Sequence, residues 1–330
     1  MERALQLSTF GGPNVSPNPF VGAVIVADGR IIGEGYHRRF GGPHAEVNAV
    51  DSVRPADRPL LKEATMYVTL EPCSHFGKTP PCAELVVRTE IPHVVVAAED
   101  PFLKDYESGI GKMRRAGVEV EVGLMRREAL FINRRFFTAH TLRRPFVLLK
   151  WAQSADGYIA GRDGTPLKFS TPFTQMLMHR ERAYYDAILV GTDTVLRDNP
   201  RLDCRLWPMR DGDSRPLKVS FRSRRLCGTS RLESGGCVLK EPSESLPDFL
   251  ARLYAEHKVT SLMVEGGTRT LESFFAAGLF DEVRIETSPL IVGSGVPTPD
   301  PFPAIRAAGL ELRSTASYDS NLIQLYTKPL

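Results

Sequence analysis

Four side chains in the first ninety residues have the types and spacing to do chemistry together. His44 stands two positions before Glu46 in Gly42-Pro43-His44-Ala45-Glu46-Val47-Asn48-Ala49. Cys73 and Cys82 follow, in Glu71-Pro72-Cys73-Ser74-His75-Phe76-Gly77-Lys78-Thr79-Pro80-Pro81-Cys82. Each Cys offers a thiolate and His44 a neutral nitrogen, a donor set that suits zinc. Three protein ligands leave a fourth position for water, whose pKa the metal lowers to about 7. Glu46 then moves protons without binding the metal. The competing arrangement is a closed structural site, for which His75, between the two cysteines, is the candidate fourth ligand. The open site is the stronger reading, because a carboxylate beside the histidine has little role in a closed one.

These residues have to be held by the surrounding elements. Arg3 to Leu7 opens a short helix, and Val21 to Val26 is an apolar run that reads as a buried strand. Asp28-Gly29 is a hairpin turn, with Ile31 to Tyr36 as the returning strand. Pro43 starts a helix that runs from His44 to Val53. Thr65 to Leu70 reads as a strand leading into Cys73, and a helix begins near Pro81-Cys82. His93 to Ala98, Ile110 to Ala116 and Val118 to Val122 continue as strand, helix and strand. This alternation predicts an α/β layered domain with a largely parallel sheet. Both ligand groups fall at strand-to-helix junctions, where the helix N-terminus favours thiolate over thiol.

The apolar spacing from Met125 to His140 predicts one amphipathic helix. Thr141-Leu142-Arg143-Arg144-Pro145 breaks the pattern and marks a boundary, giving domains of 1–144 and 145–330. In the second, Phe146 to Trp151 is a strand, Asp156-Gly157 a turn, Thr171 to Tyr185 a helix and Ala187 to Gly191 a buried strand. Residues 223–259 carry weak signals and read as a strand, a variable loop and a helix over Leu246–His257. Thr260 to Val264 is a strand, Glu265-Gly266-Gly267-Thr268 a glycine turn, and Thr270 to Ala277 a helix. Asp281 to Glu286 resumes as a strand. The glycine turn can bring phosphate to a helix N-terminus, though most such turns only connect elements. It lacks the Gly-x-Gly-x-x-Gly spacing of a Rossmann domain.

The 330 residues exceed one ordinary core and suit two domains. A net charge of +3 selects no acidic partner. The densest basic runs, Arg143-Arg144 and Arg222-Ser223-Arg224-Arg225, read as solvated surface, so no nucleic-acid partner is expected. No apolar run approaches the ~20 residues of a membrane span. The first residues lack a signal peptide's apolar segment. Five cysteines are an odd number for a disulfide framework. These features predict a cytoplasmic protein.

Asn18-Pro19-Phe20-Val21-Gly22, Gly35-Tyr36-His37, Pro43-His44-Ala45-Glu46-Val47 and the stretch from Thr69 to Cys82 closely resemble one family. It is the bifunctional deaminase–reductase family of riboflavin biosynthesis, and the resemblance runs from about residue 3 to residue 124. The eight residues between Cys73 and Cys82 are specific to it, since cytidine and tRNA adenosine deaminases usually have two. The resemblance implies a cytidine-deaminase-like three-layer domain that binds Zn2+ through His44, Cys73 and Cys82. That domain hydrolytically deaminates a diaminopyrimidinone ribosyl phosphate, with Glu46 as the catalytic proton shuttle. Positions matching Asn18, His37, Lys78 and Asp100 contact substrate in the family. Lys78 also suits a phosphate by charge, although a solvated loop lysine is the commoner fate.

The second half resembles the family's reductase over Lys150 to Gly157, Asp186 to Gly191, Thr194 to Leu202 and Val264 to Gly267. The resemblance implies a dihydrofolate-reductase-like α/β domain that uses NADPH to convert the ribosyl group to ribityl. By motif position Gln153, Lys168, Thr194, Asp198, Gly267 and Thr268 bind cofactor, and Arg182, Leu202, Arg205 and Glu265 line the substrate. Arg182 and Arg205 suit a phosphate by fork geometry; ion-paired helix and loop arginines are the competing reading. A homo-oligomer acting on a small phosphorylated pyrimidine, with no nucleic acid or membrane, is expected.

Three departures stand out. The family's Asp-Pro-Asn-Pro is Asp100-Pro101-Phe102-Leu103 here, and Ser-x-Trp-Ile-Thr is Pro166-Leu167-Lys168-Phe169-Ser170. Val-Leu-Asp becomes Val219-Ser220-Phe221-Arg222, a base in place of an acid. The alternative these changes suggest is a deaminase whose reductase-like half serves only in assembly.

Overall fold

Two sheets of different make-up carry the two halves of the chain. A computed structural model describes residues 1–74, 80–101, 108–208, 216–221 and 236–329, and these group into two compact units, Met1–Leu142 and Arg143–Pro329. His75, Lys78, Phe102, Leu103 and Arg222 lie outside the described residues.

In the first unit α1 (Glu2–Ser8) leads to β1 (Gly22–Ala27), β2 (Arg30–Tyr36) and α2 (Ala45–Asp51). Then come β3 (Thr65–Val68), α3 (Cys82–Arg88), β4 (His93–Val96), α4 (Gly109–Arg115) and β5 (Glu119–Val122). The sheet order is β2-β1-β3-β4-β5. Only the β3–β4 and β4–β5 pairings are parallel, because the Asp28-Gly29 turn folds β1 and β2 into an antiparallel hairpin and β1 also runs against β3. The sheet is therefore half antiparallel rather than largely parallel. Ile25, Met66, Val94 and Met113 are buried in one core with Ala45 and Ala49 of α2.

The amphipathic stretch after Met125 is two helices, α5 (Arg126–Ile132) and α6 (Arg134–Leu142), not one. Asn133 breaks it. Its buried amide accepts from Phe20 N at 2.7 Å and donates to Phe20 O at 2.8 Å, pairing like a strand residue with a segment 113 positions away. An Asn that bonds main chain in this way competes with helix continuation.

The second unit runs β6 (Phe146–Gln153), β7 (Tyr158–Gly161), α7 (Pro172–Ala183), β8 (Ala187–Val190), α8 (Thr192–Asp198), β9 (Leu217–Phe221) and β10 (Cys237–Lys240). It continues with α9 (Leu246–His257), β11 (Ser261–Val264), α10 (Thr268–Ala277), β12 (Glu282–Thr287), β13 (Gly295–Pro297), α11 (Phe302–Ala307), β14 (Glu311–Tyr318) and β15 (Asn321–Thr327). The eight-stranded order is β10-β9-β8-β11-β6-β12-β15-β14, parallel from β10 to β12 and antiparallel beyond. Strands β6, β8 and β11 are buried on both faces, as parallel strands between two helical layers must be. Val147 and Leu149 share a core with Phe249 and Phe274 of α9 and α10, while Phe146 and Leu148 pack with Met178 and Val195 of α7 and α8. Among the described residues no helix is long and apolar enough to cross a membrane.

Candidate functional site

His44 is the N-cap of α2 and is extended, with φ −74° and ψ 169°. Being outside the helix, it is free of the 100° helical spacing, and Glu46 in the first turn can face the same space. Helix α2 is held tightly to β2: the Asn48 amide donates to Tyr36 O at 2.9 Å, and a Cβ on Gly35 would stand 2.3 Å from Ala49 N. Cys73 follows β3, and Cys82 is the first residue of α3. Cys82 N donates to Cys73 Sγ at 3.3 Å, and Ala83 N donates to Cys73 O at 3.1 Å. The two cysteines therefore approach each other across a helix N-terminus.

The ligand atoms of His44, Cys73 and Cys82 all lie within 4.8 Å of one another. His44 Nδ1 is 3.6 Å from Cys73 Sγ and 3.4 Å from Cys82 Sγ. Zinc with Zn–S of about 2.3 Å and Zn–N of about 2.0 Å in a tetrahedral arrangement sets S and N about 3.5 Å apart. The residues fit the ion. A hydrogen bond from Cys82, helped by His44 and opposed by burial, draws the Cys73 thiol down to about 4, and the Cys82 thiol is pushed up.

Glu46 is 3% exposed, and burial pushes its carboxyl up to about 7 against the opposing pull of His44. The pKa matches a group that takes and returns a proton near neutrality. His37 is buried with its ring edge-on to His44, centroids 5.5 Å apart. Its Nδ1 meets Pro43 O at 3.0 Å and its Nε2 meets Asn18 Nδ2 at 3.1 Å, so Nδ1 carries the proton and Nε2 accepts. Burial holds it neutral. Asn18, His37, His44, Glu46, Cys73 and Cys82 are thus brought together. Asp100 is half-buried, with its backbone N–H fixed on Glu71 at 3.2 Å. No motif reading gave Glu71 a role.

In the second unit a cavity of ≈ 900 Å³ opens along the C-terminal ends of the parallel strands. Thr194, Asp198, Glu265, Gly267 and Thr268 line it. Gly267 is the N-cap of α10, leaving the first N–H groups of that helix for a phosphate, and a Cβ there would meet only Thr194 Oγ1, at 3.6 Å. The volume is at the top of the range of about 300–1,000 Å³ for ligand pockets, which suits a dinucleotide. The residues fit a nicotinamide dinucleotide.

The other reductase residues are placed differently. Gln153 accepts from Trp151 Nε1 at 2.7 Å and Lys168 is exposed; neither lines the cavity, though Pro166 and Leu167 do. Leu202 has its side chain in the core and a left-handed backbone, φ 48°. Arg205 is exposed and bonded to Asp203. Arg182 forks onto Glu265 with two bonds of 2.7 Å and donates to Asp203 O at 3.1 Å. Burial would raise Glu265, but the charge and hydrogen bonds of Arg182, with Lys150, outweigh it and hold the carboxyl at about 2. Lys150 lines the same end of the cavity at 8% exposure, and its pKa is lowered by burial and raised again in part by Glu265. Its signal was in the sequence, as a lone lysine in the apolar strand Phe146-Val147-Leu148-Leu149-Lys150-Trp151.

Comparison with known proteins gives a match for each unit. Residues 1–98 match the family described as the cytidine and deoxycytidylate deaminase zinc-binding region, and residues 145–323 match the RibD C-terminal domain. The riboflavin biosynthesis protein RibD of Aquifex aeolicus is 37% identical over 317 residues, covering 90% of this chain and 88% of that protein. The Escherichia coli K12 protein of the same name is 34% identical over 327 residues, covering 89% and 88%. Among solved structures, Acinetobacter baumannii RibD superposes with a TM-score of 0.90 at 29% identity, covering 100% of this chain and 98% of that one. The diaminohydroxyphosphoribosylaminopyrimidine deaminase/5-amino-6-(5-phosphoribosylamino)uracil reductase of Thermotoga maritima gives 0.85 at 34% identity, covering 100% and 97%.

Proposed function

The chain belongs to the RibD family of riboflavin biosynthesis proteins, and from that premise we propose how its residues divide the family's two reactions. It is a bifunctional enzyme, a deaminase and a reductase, with Zn2+ and NADPH as cofactors. Residues 1–144 form the deaminase domain and residues 145–330 the reductase domain. The substrate is a small phosphorylated pyrimidine, here diaminohydroxyphosphoribosylaminopyrimidine, and the enzyme works in the cytoplasm as a homo-oligomer. The observation that carries the reading is the convergence of His44, Cys73 and Cys82 at zinc-binding distances around a buried Glu46.

His44, Cys73 and Cys82 hold the metal, which when bound supplies Lewis-acid activation of water. Glu46 takes a proton from the attacking water and delivers it to the exocyclic amine. A C–O bond forms, the C–N bond breaks and ammonia leaves. Asn18, Asp100 and Lys78 bind the pyrimidine and its phosphate, and neutral His37 orients Asn18 through Nε2.

In the reductase, NADPH when bound would supply a hydride to the anomeric carbon of the ribose, whose bond to the ring oxygen breaks. Thr194, Asp198, Gly267 and Thr268 hold the nucleotide, with Gln153 and Lys168 flanking its loop. Glu265, kept ionised by Arg182, fixes the sugar hydroxyls. Lys150 Nζ gives a proton to the ring oxygen as the ribose opens. Arg205 faces the phosphate, and the Leu202 backbone borders the substrate.

The test is incubation of the zinc-loaded protein with the diaminopyrimidine substrate and NADPH. Ammonia release together with NADPH oxidation is expected. Glu46→Gln, with zinc retained, should slow ammonia release by about 10²–10⁴-fold and still reduce the deaminated intermediate. Ammonia without NADPH oxidation would leave only the deaminase with an assembly domain.

A further inference from the structure

Glu71 stands two positions before the metal ligand Cys73 and is 6% exposed. Three neutral donors from about thirty to forty residues downstream fill its carboxylate. Oε2 accepts from Asp100 N at 3.2 Å, and Oε1 accepts from the Ser108 hydroxyl at 2.6 Å and from Ile110 N at 3.1 Å. Its own N–H donates to Ala98 O at 2.9 Å. Ser108 in turn caps α4, accepting from Gly111 N at 3.2 Å. Gly109 lies so close to Pro72 that a Cβ there would stand 1.8 Å from Pro72 O. If this contact served packing alone, an apolar residue would fill the place without the cost of burying a carboxylate. The carboxylate is the one group that accepts on both sides at once.

We propose that Glu71 is a positioning residue of the deaminase site: it ties the main chain of Asp100 to the segment that carries Cys73, so that substrate contact and metal ligand are held in one register. This rests on the assignment of Asp100 to substrate made above. Glutamine distinguishes the role from simple support. Its amide oxygen can still accept from Ser108 and Ile110, but its NH2 then faces the Asp100 N–H, donor against donor. Glu71→Gln therefore releases the Asp100 end while keeping size and shape.

A double-mutant cycle of Glu71→Gln and Asp100→Ala on the zinc-loaded full chain tests it, read as ammonia release at varied substrate concentration. Glu71→Gln is expected to raise KM about tenfold, the loss of one charge-assisted hydrogen bond, with kcat, zinc-to-protein ratio and reductase rate unchanged. The double variant should be no worse than Asp100→Ala. If Glu71→Gln does not fold, Ser108→Ala replaces it in the cycle, with a KM rise of about threefold and the same lack of additivity. An unchanged KM, additive effects, or a fall in kcat together with zinc loss overturns the proposal. Asp100→Ala without any effect on KM refutes instead the assignment on which it rests.

Discussion

Charge at the single-residue level is set by burial and one neighbour. Glu46 and Glu265 are both buried carboxylates, yet burial raises one to about 7 and Arg182 holds the other at about 2. The difference is the partner: Glu265 has a bidentate guanidinium, whereas Glu46 has no such cation and its main opposing neighbour is His44, which zinc would engage. One is suited to exchange a proton, the other to remain an acceptor. The Glu265 shift has a stability consequence. Its folded carboxyl ionises at about 2 against an ordinary 4.5, so ionic stabilisation is complete at neutral pH. It begins to fall as the pH drops below about 5 and is gone below about 2, a total of about 3 kcal/mol. Urea unfolding of the second unit should therefore show Glu265→Gln less stable than the parent by about 3–5 kcal/mol at pH 7, with the gap closing steadily towards pH 2. A gap that stays constant with pH would mean that the pair contributes by packing and not by charge.

The elements deliver these residues through close backbone contacts, and Gly35 is the one that seats α2 against β2. A Cβ there would lie 2.3 Å from Ala49 N and 2.4 Å from Ala45 O, main-chain atoms that cannot step aside as a side chain does. Gly35→Ala should push α2 off β2 and carry His44 with it. Zinc content and ammonia release should fall together, with about 1–3 kcal/mol lost from the first unit, and the reduction of deaminated intermediate untouched. Full zinc occupancy in that variant would show that α2 tolerates displacement without moving its N-cap.

Much of this level was legible in the sequence. The hairpin at Asp28-Gly29, the apolar strands, the helix over Leu246–His257 and the strand-to-helix junctions at Cys73–Cys82 all follow from local periodicity and turn chemistry. What escaped depends on partners far along the chain. Asn133 breaks a helix because of Phe20, 113 residues away. The short pair β7 and β13 is separated by more than a hundred residues, and β14 is exposed along most of its length, so neither shows the alternation of a half-buried strand. At the site, the zinc ligands were readable because the cysteine spacing is itself the motif. Arg182 and Glu265, 83 residues apart, read separately as substrate contacts, whereas the structure first makes them each other's partners.

Among the described residues, the two candidate sets fall in different units. The candidate zinc ligands and Glu46 fall between residues 44 and 82, and the lining of the second unit's cavity falls between 150 and 296, each backed by a separate sheet and core. A ligand that binds only the folded form stabilises the unit that binds it, by about 2.7 kcal/mol at a hundred times its Kd. Because the two ligand sets share no residue, zinc and NADPH should act on different unfolding transitions. Chelation of the metal is expected to lower the thermal midpoint of the first unit and abolish ammonia release, leaving NADPH oxidation on the deaminated intermediate intact. Adding NADPH should raise only the second midpoint, read by calorimetry on the full chain in all four combinations of metal and cofactor. One transition that shifts with either ligand would show instead that the units unfold cooperatively, so that losing zinc also weakens the reductase.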